Sequence, residues 1–141
     1  ACDPAAAEDW GLRVAAGQIE GAPVGHLAAV WTPHEAFTDD EGLATPEAIW
    51  AALDCPGMFA WVQKEGRHGA LLGTMSGEVL RRPRAGETCI VMAWPLTRAG
   101  RKEFSGVALF TAEGDLLPRT HHVWIILAQD HQLSPRATAT T

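Results

Sequence analysis

Two carboxylates seven residues apart, Glu47 and Asp54, are the first candidates for chemistry in this chain. They lie in Thr45-Pro-Glu-Ala-Ile-Trp-Ala-Ala-Leu-Asp-Cys-Pro-Gly57, a stretch with no other charge. On a helix seven residues is about two turns, so both acids fall on one line. A carboxylate on a buried helix is costly to desolvate unless it is paired or useful. A useful one acts as a general base on water or as a nucleophile on a carbonyl. The structural alternatives are simple. An acid in the first turn, such as Glu47, complements the helix dipole. Asp54, near the expected C-terminus, would pair with an arginine or cap a neighbouring loop.

The element that must position these groups reads as one buried helix. Thr45 suits the N-cap, because its hydroxyl can accept from a free N–H of the first turn. Pro46 suits the first helical position, and Pro56-Gly57 is expected to stop the helix. Pro46, Ile49, Trp50 and Leu53 share one side, and Ala48, Ala52 and Cys55 cover the other with small groups. A helix apolar nearly all round is a buried one. Its first N–H groups, at Glu47 and Ala48, are candidates for holding an anion. Trp50, one turn from both carboxylates, lines a pocket or the core. Cys55 reads as a small core residue. Asp39, Asp40 and Glu41, just ahead of the helix, are runner-up acids, and an acidic loop is usually just solvated.

Composition narrows the classes. A chain of 141 residues, 47% hydrophobic with six Trp, suits one domain with a proper core. No apolar run approaches the ~20 residues of a membrane span, and no basic-then-apolar leader opens the chain. Cys2, Cys55 and Cys89 give neither metal spacing nor an even disulfide framework, so a reduced, cytoplasmic setting without a metal is expected. The net charge of −6 should repel nucleic acid. It is unevenly spread. Residues 1–60 hold ten acids and one base, whereas residues 81–102 hold six of the eleven bases and one acid. That basic segment suits a small polyanion.

In chain order, residues 1–9 read as a loose arm and 129–141 as a frayed tail, with one domain over 10–128. Two strands are expected, from Leu12 to Ile19 and from Val24 to Trp31, then the acidic loop and the helix. A short apolar segment, Met58 to Val62, and a connection through Lys64 to His68 follow. Gly86, Gly100 and Gly114 recur every fourteen residues in turns. The runs Ala70–Leu80, Thr88–Leu96, Glu103–Thr111 and His121–Leu127 predict an antiparallel meander of long strands. The last is apolar on both faces, which predicts an interior strand or an interface. His121 and His122 must point to opposite faces and cannot easily share a metal. These elements give an α+β fold, a curved antiparallel sheet wrapped around one long central helix.

That order resembles the hotdog fold, and the chain is similar to acyl-CoA thioesterases of the phenylacetic-acid-pathway type. The resemblance rests on Trp10-Gly-Leu-Arg-Val14, on Ala51-Ala-Leu-Asp54, and on Arg82-Pro-Arg-Ala-Gly86. It rests also on Arg98-Ala-Gly-Arg101 and Glu113-Gly-Asp-Leu116, all in order. It implies hydrolysis of an acyl thioester by water that Asp54 activates. Glu47 would be a second carboxylate, Thr45, Ala48 and Trp50 would hold the oxyanion or line the acyl site, and Arg82, Arg84, Arg98 and Arg101 would hold the phosphates of coenzyme A. The expected partner is an acyl-CoA or similar small thioester, with no cofactor beyond the coenzyme A of the substrate. A homodimer or dimer of dimers would shelter strand edges. One departure stands out. The family carries His-Gly-Gly at the helix start, where a glycine N–H polarises the thioester carbonyl. Here that place holds Thr45-Pro46-Glu47, and Pro46 has no N–H. A non-catalytic protein binding an acyl or aromatic ligand is the alternative, and a dehydratase, which needs a histidine and an acid in one site, is a third reading.

Overall fold

The structure is a computed structural model that describes residues 12, 14–66 and 69–128. Its elements are β1 (Gly17–Gln18), β2 (Leu27–Trp31), one 3-10 turn (Glu35–Phe37), α1 (Pro46–Glu65), β3 (Ala70–Glu78), β4 (Cys89–Ala99), β5 (Lys102–Thr111) and β6 (Leu116–Ile126). The six strands form one antiparallel sheet in the order β1-β2-β4-β5-β6-β3. The expected arm and tail, and Trp10, Gly11 and Arg13, lie outside the described residues. Leu12 and Val14 join the core.

The helix begins where expected and ends later. Thr45 caps it, with Oγ1 accepting from the Ala48 N–H at 3.2 Å. Pro56-Gly57 does not stop it; α1 runs twenty residues to Glu65. Pro56 removes the N–H that the Ala52 carbonyl would accept four residues on, and mid-helix proline and glycine cost about 3 and 1 kcal/mol. The second half of the helix offsets this by burying Ala60 and Trp61. A buried indole of about 200 Å² contributes on the order of 5 kcal/mol at about 25 cal/mol per Å². The Trp61 indole N–H also donates to the Phe104 carbonyl at 2.9 Å, and the Lys64 ammonium sits 5.0 Å from its ring centre. The true stop is Gly66, in a left-handed conformation at φ 66°, whose N–H donates to the Val62 carbonyl. That conformation costs glycine least.

The helix packs on β4 and β5 through Ala48, Ile49, Ala52, Leu53, Pro56, Gly57, Ala60 and Trp61. The buried face therefore includes the small residues Ala48 and Ala52, which let helix and sheet approach closely. Pro46, expected on the buried side, is exposed, and Trp50 is half-buried. Trp31, Leu27, Val91, Val107, Leu109 and Leu117 complete the core.

Two strand expectations change. Of the first expected strand only Gly17–Gln18 pairs as a strand among the described residues, against β2. The four later runs are not one meander. β4, β5 and β6 follow one another, but β3 pairs with β6 at the far edge. The chain must therefore cross from β3 back to β4 through residues 79–88, which pass the N-terminal end of the helix. That crossing is fastened to the loop before α1: Ala44 N–H donates to the Pro83 carbonyl at 2.8 Å, Gly86 N–H to the Pro33 carbonyl at 2.9 Å, and Leu43 bridges Arg84. β6 is interior, as its apolar run predicts, and starts earlier, at Leu116. β3 is almost wholly exposed, with Leu71 at 60% and Leu72 at 37%.

Candidate functional site

Asp54 sits on one flank of α1, half-buried. Burial alone raises its carboxyl above the ordinary value, and no cation among the described residues offsets the charge. Its direction follows from the helix period. Gly57, three residues on, abuts His122 of β6, since a Cβ there would lie 2.5 Å from the His122 Nδ1. Trp50 and Asp54 stand seven and three residues before Gly57, on the same stripe. The stripe thus looks toward β6, and beyond β6 lies the uncovered β3 with half-buried Met75 and exposed Leu72. A half-buried acid one turn from an indole, on the flank that looks toward β6, is the candidate site.

Glu47 lies on the line expected of it, two turns earlier, but it is exposed at the first turn. There it complements the helix dipole. The other first-turn donors are mostly committed. Pro46 has none, Ala48 donates to the Thr45 hydroxyl, and Ile49 donates to the Thr45 carbonyl at 3.1 Å. Of the two N–H groups expected to hold an oxyanion, Ala48 is taken and Glu47 remains. Thr45 is the residue that takes it.

The four arginines expected at phosphates are not brought together. Arg82 Nη1 donates to Asp39 Oδ2 at 2.7 Å and to the Ala44 carbonyl at 3.2 Å, beside the helix start. Arg98 Nη1 meets Glu65 Oε2 at 3.0 Å, at the helix end. Twenty helical residues, about 30 Å, separate these points. Arg84 donates at 3.4 Å to the Glu41 carbonyl. Arg101 makes no ion pair among the described residues. The runner-up acid Asp39 is thereby explained. It accepts from Arg82 and from the N–H groups of Glu41 and Leu43, and the guanidinium, more than the two N–H groups, holds its carboxyl below the ordinary value.

One polar cluster escaped sequence reasoning. Ser105, Thr120, His122 and Trp124 are buried on the helix-facing side of β5 and β6. Trp124 donates its indole N–H to Ser105 Oγ at 3.0 Å, and Thr120 Oγ1 lies 2.8 Å from His122 Nε2. Because the Thr120 hydroxyl donates to the Val107 carbonyl, the network assigns the proton to Nε2 of His122. Its Nδ1 is then a bare acceptor without a partner among the described residues. Burial, helped by neighbouring His121, pushes this imidazole down to about 4, so it is neutral at neutral pH. The only signal was the alternation Thr120-x-His122-x-Trp124. Closed off from solvent, His122 is not placed to meet a ligand beside Asp54, as a dehydratase would require. Cys89 is likewise buried, its thiol pushed up to about 11 by burial first. Among the described residues no three His, Cys, Asp or Glu gather as a metal site. A cleft of about 620 Å³ lies elsewhere, lined by Val30, Pro33, His34 and Phe37, and Asp54 takes no part in it.

Comparison with solved structures gives the fold its name. The chain superposes on the Escherichia coli PaaI protein from the phenylacetic acid degradation operon with a TM-score of 0.74 and 10% identity, over 87% of this chain and 84% of that one. A Streptococcus mutans protein bound to acetyl CoA gives 0.72 and 11%, over 82% and 89%. Zebrafish thioesterase superfamily member 2 gives 0.69 and 17%, over 77% and 79%. No protein-family model matches the sequence, and no curated protein matches it. The fold is the hotdog fold, shared with thioesterase-superfamily proteins. No helix among the described residues is long and apolar enough to cross a membrane.

Proposed function

We propose that this chain is an acyl-CoA thioesterase-like hydrolase in which Asp54 activates water against an acyl thioester. The observation that carries the reading is the half-buried Asp54 carboxylate, desolvated and without a cation among the described residues, on the flank of α1 that looks toward β6. Solved hotdog neighbours bound to acetyl CoA or coenzyme A support the substrate class. Arg84 and Arg101, not held in ion pairs among the described residues, are the guanidinium groups left for phosphate contacts.

Helix geometry adds a second copy to this reading. Asp54 and the remaining donor, Glu47 N–H, are seven residues apart, about 10 Å along the axis. One carbonyl must lie about 3 Å from both the attacking oxygen and its oxyanion donor. A single chain does not meet that demand with these two groups. Two copies with antiparallel helices would place the N-terminus of one near Asp54 of the other, and the exposed β3 edge is the surface for joining them. Leu72→Asp should then give a monomer by analytical ultracentrifugation and lose turnover.

The direct test is thiol release across a panel of acyl-CoAs, with wild type and Asp54→Asn side by side. Turnover that disappears in Asp54→Asn supports the reading. The alternative, a non-catalytic binder of an acyl or aromatic ligand, is favoured by one observation: Pro46 has no N–H, and Thr45 takes that of Ala48. It predicts no turnover on any chain length but a thermal shift with acyl-CoA.

A further inference from the structure

We propose that His122 is a positioning residue that sets how deeply Asp54 sits against the sheet, acting through Gly57; the proposal rests on the reading of Asp54 as the base. Three observations carry it. At Gly57 α1 lies against β5 and β6 so closely that a Cβ there would lie 2.5 Å from His122 Nδ1 and 2.8 Å from Ser105 Oγ. The imidazole cannot turn aside, because its Nε2 is held by Thr120, whose hydroxyl is itself anchored on the Val107 carbonyl. Its Nδ1 is the one buried side-chain polar atom without a partner among the described residues. Leaving such an acceptor unfilled is unfavourable, so the ring works here as a fixed stop and not as a hydrogen-bond anchor for the helix.

The helix meets this stop next to its weakest step. Pro56 leaves the Ala52 carbonyl without its helical donor, so the ladder cannot hold the height of this segment unaided. Asp54 lies three residues before Gly57, on the same stripe. A helix pushed outward at Gly57 carries Asp54 toward water, and a helix allowed to settle carries it deeper. The groups that share this space are few. Met75 faces His122 from β3 without charge, His121 is its neighbour on β6, Glu103 stands two residues from Ser105 on the same face of β5, and Asp54 is the acid on α1.

The test follows the Asp54 carboxyl by carbon-13 NMR titration in wild type, Gly57→Ala and His122→Ala, with kcat and KM measured alongside. Positioning predicts shifts of opposite sign. Gly57→Ala should lower the Asp54 midpoint toward the ordinary value as the helix is pushed out, and His122→Ala should raise it. Gly57→Ala should also cost about tenfold or more in kcat, with KM changed less than about twofold. Adding His122→Ala to Gly57→Ala should bring the midpoint back toward wild type. If Gly57→Ala does not fold, the upward shift in His122→Ala decides. Midpoints that stay put, or that move the same way in both variants, overturn the proposal. Absence of turnover in wild type would overturn the reading of Asp54 as a base, while the titrations would still decide whether His122 positions it.

Discussion

Asp39 and Asp54 are the same residue type fifteen positions apart, and the structure treats them in opposite ways. Asp39, in the loop before the helix, accepts from Arg82 and from two backbone N–H groups, and its carboxyl is held low. Asp54, on the helix flank, is half-buried with no cation among the described residues, and its carboxyl is held high. The first acid fastens the crossing strand connection to the start of α1. The second is kept in a state that costs stability, the state that its proposed role as a base requires. The arginines divide along the same line. Arg82 and Arg98 are engaged in ion pairs, whereas Arg84 and Arg101 make none among the described residues.

The largest effect expected is on turnover. Asp54→Asn should reduce thioester hydrolysis by about two to four orders of magnitude, and Asp39→Asn should leave kcat per folded molecule nearly unchanged. Equal losses from the two would erase the distinction. Stability in acid comes next. His122 is held at about 4 against an ordinary 6.5, so the unfolded chain takes up its proton first. Stability from this group is whole above pH 6.5 and lost as pH falls toward 4, on the order of 3 kcal/mol, read by denaturant melts over that range.

The two aspartates should then show opposite slopes. Asp39, lowered on folding, contributes stability above its ordinary 3.8 that is lost as pH falls through its folded value. Asp54, raised on folding, binds its proton more tightly in the folded state, so its contribution worsens as pH rises from 3.8 through the folded value. At neutral pH Asp54→Asn should therefore raise the melting temperature, and Asp39→Asn should lower it. The smallest effect is at the cap. Thr45→Ala should cost about 1 kcal/mol in chemical denaturation while releasing the Ala48 N–H.

Much of this architecture was legible in the sequence, and the misses have physical causes. Thr45-Pro46 marked the helix start because capping is local. Pro56-Gly57 misled because the burial of Trp61, a tertiary event, outweighs a local penalty. The strand runs were visible from β-branched and aromatic residues, but evenly spaced runs carry no sign that β3 joins β6 instead of β4. Asp54 was legible as an acid on an apolar helix. The commitment of Ala48 N–H to Thr45 was implicit in the cap, and the role of Arg82 was not, since its partner is 43 positions away. His122 was correctly placed on the face opposite His121, yet its contact with Gly57 depends on how helix and sheet meet.

The measurement that tests the central claim most directly is a side-by-side carbon-13 titration of the Asp39 and Asp54 carboxyls in the folded protein. The structure predicts an Asp54 midpoint above the ordinary carboxylate value and an Asp39 midpoint below it. An Asp54 midpoint at or below the ordinary value would mean that the charge is already compensated, and would contradict its reading as a base held ready.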